Sequence, residues 1–120
     1  MGNQNSKGNK NYILIIDFEA DVSKDGEHDH EIIEFPSLLV NAATKELIGE
    51  FHNYVKLATR PKLSDFTKTL TNITDEQVAN GVEWSECLNL FDQWCQTNNI
   101  TSENTTIVTC GDWDLASATI

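Results

Sequence analysis

Residues 12–16 are five apolar side chains in an unbroken run, Tyr-Ile-Leu-Ile-Ile, and the next residue is Asp17. A strand with one wet face alternates apolar and polar residues, whereas a run apolar on both faces suits a strand covered on both sides. Other elements must therefore flank this strand in a layered α/β architecture. Asp17 and Glu19 stand at its end. Alternation puts residues i and i+2 on one face with Cα atoms roughly 6.6–7 Å apart. Two carboxylates about 4 Å apart repel by about 4 kcal/mol at an effective dielectric near 20, so a cation or a proton belongs with them. Oxygen-only donors favour Mg2+ or Mn2+. Taken alone, the Asp-x-Glu spacing is also open to one acid capping a helix and the other facing solvent.

Periodicity and capping place the other elements. A polar, acidic loop covers residues 21–30. Residues 32–41 and 47–55 are strand-like runs joined by a short polar link with Thr44-Lys45; they read as an antiparallel pair, closed off by Pro61. Ser64 caps a helix over 64–71, and Thr74 with Gln77 makes a capping box opening a short helix that stops near Gly81. Ser85 caps a longer helix, whose Cys87, Leu88, Phe91, Trp94 and Cys95 share one face. Residues 105–110 form a fourth strand broken by Gly111, and Asp112 or Asp114 begins a further helix. Three strands, helices, one strand and a helix start make an α/β pattern whose last layer is missing. Residues 1–11 are polar and aperiodic, which predicts a disordered tail. Gly2 and Ser6 there match a myristoylation pattern; one acyl chain with only Lys7 and Lys10 beside it gives weak membrane contact.

Composition narrows the function. With 39% hydrophobic and 22% charged residues the 120-residue chain is one globular domain or a piece of one. No apolar run reaches the roughly 18 residues of a membrane span. Three cysteines without a Cys-x-x-Cys pair suit reduced thiols in an intracellular, cytoplasmic protein. Eight basic against nineteen acidic residues leave a net charge of −11. That argues against a module coating nucleic acid through its phosphates. It is compatible with an enzyme that meets a strand end through bound cations. Asp114 lies just past the end of the fourth strand, where α/β sheets place ligands. Asp17, Glu19 and Asp114 could converge to hold two divalent cations about 3.5–4 Å apart, a geometry suited to phosphodiester hydrolysis.

The segments DFEA (17–20), HEIIEFP (30–36), LSDF (63–66), LTNIT (70–74) with Gln77-Val78, and TCGDWDL (109–115) together resemble the DEDDh 3′–5′ exonucleases. The likeness is to their Eri-type branch, that of the histone-mRNA 3′ exonuclease and its prion-interactor relatives, and it runs in order from about residue 12 to the end. It implies an RNase H-like mixed sheet with flanking helices, formed by residues 12–120 as an incomplete exonuclease domain. It implies that Asp17, Glu19 and Asp114 are metal ligands and catalytic residues for two Mg2+ (or Mn2+) ions. It also implies that Phe66, Leu70 and Trp113 flank the terminal base of an RNA 3′ end, and that nucleoside 5′-monophosphates are released. Asn72 stands where the family has glycine, and Asn tolerates the left-handed conformation that ends a helix.

The family's third motif, a histidine followed five positions later by an aspartate, is absent. Five positions after His28, His30 and His52 stand Ile33, Phe35 and Leu57. His28-Asp-His30 reads as a solvated pair, and His30 matches a residue common in the family. These 120 residues alone are therefore expected to be inactive and to expose surface that missing helices would cover. Two other readings stay open: a non-catalytic remnant that binds nucleic acid or a protein, and a DNA-directed 3′–5′ exonuclease. Oligomeric state has no signal in the sequence.

Overall fold

The computed structural model describes residues 10–22 and 30–109. Its elements are β1 (Tyr12–Ile16), β2 (Glu19–Asp21), β3 (Glu31–Asn41), β4 (Leu47–Tyr54), α1 (Asp65–Thr71), α2 (Asp75–Ala79), α3 (Trp84–Thr97) and β5 (Thr105–Thr109). The apolar run is β1; Leu14 and Ile16 are buried, whereas Tyr12, Ile13 and Ile15 are half-buried, so the expected burial on both faces is not seen among the described residues. β3 runs antiparallel on one side, with Tyr12 opposite Asn41, and β5 runs parallel on the other, with Tyr12 opposite Thr105. β4 pairs antiparallel with the far edge of β3. The sheet is mixed, as the resemblance implied.

β2 is a departure from expectation, because the loop predicted from residue 21 begins one residue later. The register that sets Ile16 opposite Ser37 also sets Glu19 opposite Glu34, so β1 and β2 are one line of chain along β3 with an interruption between them. Pro36 explains the interruption. The Asp17 N–H donates to the Pro36 carbonyl at 3.4 Å. In an antiparallel ladder the N–H and C=O of a residue face the same neighbour, so proline cannot return the bond at this rung. The strand breaks there, and Asp17 is exposed at the break.

One face of the sheet carries the core. Alternation along β3 buries Ile33, Phe35, Ser37 and Leu39, and the same face takes Leu14, Ile16 and Phe18 from the central line of chain. α3 lays Cys87 and Phe91 against them, with Leu88, Trp94 and Cys95 half-buried at the rim. That is the helix face read from the sequence. The helix itself starts earlier than expected: Glu83 is the N-cap and Ser85 lies inside the first turn. The reason is tertiary, since Val82 bridges to Val55 and Trp84 packs on the core, which together fix the point of entry. Burial pushes the Cys87 and Cys95 thiols up to about 11, so neither is a reactive thiolate at neutral pH.

α1 and α2 are capped as predicted. The Thr67 N–H donates to Ser64 Oγ at 3.1 Å, and Asn72 ends α1 in the left-handed region at φ 63°. Both hydrogen bonds of the Thr74–Gln77 capping box are present. Leu63, Ile73 and Val78 pack with Ile33 in a second small core, which ties these helices to the sheet. Gly81 lets the chain return beneath β4: a Cβ there would lie 2.4 Å from the Tyr54 carbonyl oxygen. Among the described residues no helix is long and apolar enough to cross a membrane. The N-terminal tail with Gly2, the strand end at Cys110 and the helix start at Asp112 or Asp114 lie outside the described residues.

Candidate active site

Asp17 and Glu19 bracket Phe18. Phe18 is buried and meets Phe35 edge-on at a centroid distance of 4.6 Å. Alternation therefore turns both carboxylates to the opposite face of the sheet, away from α3. Asp17 is exposed there and Glu19 is half-buried. The apolar residue between the two acids is what aims them. β5 brings its own end alongside, because Ile16 is paired with Thr109. Asp114 and Trp113, a few residues further on, lie outside the described residues.

Two residues overlooked in the sequence share this face. Glu34 stands directly across from Glu19, and its Oε2 lies 2.5 Å from Nε2 of His52 on β4. Like charges directly opposite on neighbouring strands are destabilising, and an imidazole beside one of them offsets part of that. Alternation from Phe35 on β3 and from Phe51 on β4 was the available signal.

A divalent cation fits the donor set. Among the described residues no three His, Cys, Asp or Glu side chains are grouped closely enough to cage a metal alone. The two strand-end carboxylates offer oxygen donors, the type that hard divalent cations take.

Phe66 and Leu70 occupy positions i and i+4 of α1, on one stripe of the helix. They are 41% and 66% exposed, which is high for large apolar side chains. Thr67, beside them, is buried and turns toward β2: the Val22 N–H donates to Thr67 Oγ1 at 2.9 Å. The stripe thus lies on a helix docked to the strand that begins at Glu19, with its apolar side chains left open. Trp113 and Asp114, to which the resemblance assigns roles, and Gly2 of the myristoylation pattern lie outside the described residues.

The docking has an ionic centre that the sequence did not reveal. Asp21 is 0% exposed; Oδ1 accepts the Ser64 N–H at 2.9 Å and Oδ2 accepts Arg60 Nε–H at 2.6 Å. Arg60 Nη1 reaches Glu31 Oε2 at 3.2 Å, and Glu31 Oε1 accepts the Ala58 N–H at 2.7 Å. Burial alone would raise the Asp21 carboxyl, but the Ser64 N–H, Arg60 and Thr67 together hold it below the usual carboxylate range. Glu31 is lowered likewise: burial opposes, while Thr59, Ala58 and Arg60 prevail. A carboxylate lowered by folding adds stability above its unfolded pKa of about 3.9, and loses it as pH falls through the folded value. Wild-type stability should therefore decline as pH drops below about 4. Asp21→Asn should cost about 2–4 kcal/mol at pH 7 and less at pH 3, where the unfolded carboxyl is mostly protonated. Urea midpoints at the two pH values check this, and an equal loss at both would refute an ionised Asp21.

Comparison with known proteins gives a consistent picture. The exonuclease (RNase T) family model matches residues 14–119. ERI1 exoribonuclease 2 of Xenopus laevis is 40% identical over 121 residues, covering 87% of this chain and 18% of the relative. Human 3′-5′ exoribonuclease 1 is 37% identical over 108 residues, covering 88% and 31%. The chain thus spans 18% to 31% of the length of these relatives. Among solved structures, the nuclease domain of 3′hExo, a DEDDh family member bound to rAMP, superposes with a TM-score of 0.84 at 36% identity, covering 91% of this chain and 56% of that one. A 3′-exonuclease solved in 3′-end-specific recognition of a histone mRNA stem-loop gives 0.83 at 35%, covering 90% and 49%. The mixed sheet with its flanking helices is the RNase H-like fold of that nuclease, present in part.

Proposed function

We propose, given that this chain belongs to the exonuclease family, that it forms the front part of a metal-dependent 3′–5′ exoribonuclease that frees nucleoside 5′-monophosphates from an RNA 3′ end. The observation that carries this reading is the Asp17/Glu19 pair at the break after β1, aimed by Phe18 to one face beside an apolar stripe on α1. The DEDDh family is metal-dependent; we assign Mg2+ or Mn2+ here, on the oxygen-only donors, and two ions per site, on the resemblance. When bound, two such ions would neutralise the scissile phosphate, lower the pKa of the attacking water and stabilise the leaving 3′ oxygen.

The residues of this chain do the rest of the front-end work. Asp17 and Glu19 would hold the cations, and Asp114, beyond the end of β5, would add the third carboxylate. Phe66 and Leu70, with Trp113, would take the terminal base between apolar surfaces. Such stacking is worth about 1–3 kcal/mol and is indifferent to base identity. RNA is the assigned substrate because the relatives are exoribonucleases, and one is recorded recognising an RNA 3′ end. An intracellular location is assigned on the two inert, unpaired thiols Cys87 and Cys95.

The test is digestion of 5′-labelled RNA by the full-length protein. Stepwise shortening from the 3′ end, with nucleoside 5′-monophosphate products, is expected; a chelator should stop it and Mg2+ should restore it. Faster digestion of matched single-stranded DNA would move the substrate to DNA. No metal-dependent shortening of either strand would remove the catalytic reading.

A further inference from the structure

The site has two halves on separate elements, and one buried ionic network joins them. The carboxylates belong to the β1–β2 line of chain, and the apolar stripe belongs to α1. Asp21 lies two residues after Glu19, and its Oδ1 receives the N–H of Ser64, the residue that caps α1. Ser64 Oγ lies 2.6 Å from the Val22 carbonyl oxygen and 2.9 Å from Thr67 Oγ1. The first turn of α1 is thus fastened to residues 21 and 22 by hydrogen bonds. Leu63, just before the helix, also packs with Ile33, Ile73 and Val78. Arg60 adds a lateral tie in the segment leading into the helix: its Nε donates to Asp21 Oδ2, its Nη2 reaches the Asp21 carbonyl oxygen at 3.5 Å, and its Nη1 reaches Glu31 on β3. Glu31 in turn accepts the N–H groups of Ala58 and Thr59 and the Thr59 hydroxyl, so the segment leading into α1 is tied to the sheet as well. The planar guanidinium makes all three contacts at once, which an ammonium cannot do.

We propose that Arg60, through Asp21 and Glu31, is a positioning residue that sets α1 against the carboxylate-bearing strand, so that Phe66 and Leu70 meet the terminal base while its phosphate sits at Asp17 and Glu19. This inference rests on the reading of the site given under Proposed function. Arg60 itself touches neither base nor phosphate. Its loss should weaken recognition of the base more than recognition of the phosphate, because the carboxylate-bearing line of chain keeps its pairing with β3, and β1 its pairing with β5, when Arg60 is gone. A purely structural role would lower both together.

The experiment measures binding of adenosine 5′-monophosphate and of ribose 5-phosphate, which lacks the base, to the full-length protein with Mn2+. Wild type should bind the nucleotide at least roughly fivefold more tightly, the lower end of a stacking contribution, and Phe66→Ala should erase that preference. Arg60→Gln should erase most of it with ribose 5-phosphate affinity lowered less, and Arg60→Lys should restore part of it. Thermal melts confirm folding at the assay temperature; Arg60→Lys, which keeps Asp21 compensated, carries the test if Arg60→Gln does not fold. A folded Arg60 variant with undiminished preference overturns the proposal, as does a wild type without any preference. A wild type that shows the preference, and loses it in the Arg60 variants, yet digests no RNA upholds this inference and removes the exonuclease reading. An active wild type whose Arg60 variants bind normally does the reverse.

Discussion

In the full-length protein, Asp17→Ala is expected to lower kcat for RNA shortening by on the order of a thousandfold. Cations stabilise phosphoryl transfer by several kcal/mol, and each 1.36 kcal/mol is a factor of ten in rate, so losing a ligand at the open strand end removes about three decades. The substitution should be nearly silent for the metal-free fold, because Asp17 is exposed at the break between β1 and β2 and its backbone bond to Pro36 does not involve the side chain. A ligand that binds only the native state raises stability by RT ln(1 + [L]/Kd), about 2.7 kcal/mol at a hundredfold excess over Kd. Wild-type Tm should therefore rise on adding Mn2+, and that of Asp17→Ala should rise much less. Two readouts separate ligand loss from misfolding. Full activity in Asp17→Ala, or an equal Mn2+ response in both proteins, would exclude Asp17 as a metal ligand.

What was legible in the sequence had a local cause. The β1 run announced a strand through its unbroken apolar residues, although only Leu14 and Ile16 are buried and the expected cover on both faces is not seen among the described residues. Thr74 and Gln77, three positions apart, announced a capping box, and both of its bonds are present. The stripe through Cys87 and Phe91 announced the face of α3. The unread features have partners far apart along the chain. Glu19-Ala20-Asp21 has acids where strands favour β-branched or aromatic residues. It is a strand because the eleven residues of β3 extend past the end of β1 and offer it a ladder. Arg60 and Asp21 are 39 positions apart, and His52 and Glu34 are 18 apart. No periodicity joins such pairs: the register of β3 and β4 joins His52 to Glu34, and the segment leading into α1 carries Arg60 to Asp21. The start of α3 was misjudged for a similar reason, since Ser85 is the better cap by type but Val82 and Trp84 fix the entry by packing.

Phe35→Ala should be the most damaging single change to the fold, at about 3–5 kcal/mol. Phe35 is 0% exposed at the middle of β3. Its ring lies 4.6 Å from Phe18, 4.7 Å from Phe91, 5.4 Å from Phe51 and 6.0 Å from Trp84, centroid to centroid. Each aromatic pair adds about 0.5–1.5 kcal/mol beyond the area it buries, which puts the expected loss at the upper end of the range. Domains are stable by only about 5–15 kcal/mol, so a marginal protein would not survive the change. The cavity would open beneath the residue that aims the site, because Phe18 sits between Asp17 and Glu19 and rests edge-on against Phe35. Phe35→Leu fills part of that space but gives up the ring contacts, so it should cost less than Phe35→Ala and leave a folded protein. If Phe18 does aim the carboxylates, Phe35→Leu should also weaken Mn2+ binding, though residue 35 faces α3 and the carboxylates face the other way. Urea midpoints and Mn2+ titrations of the two variants decide this. A loss below about 1 kcal/mol in Phe35→Ala would refute the packing argument. Unchanged Mn2+ affinity in Phe35→Leu would show that the carboxylates are held by the strand alone.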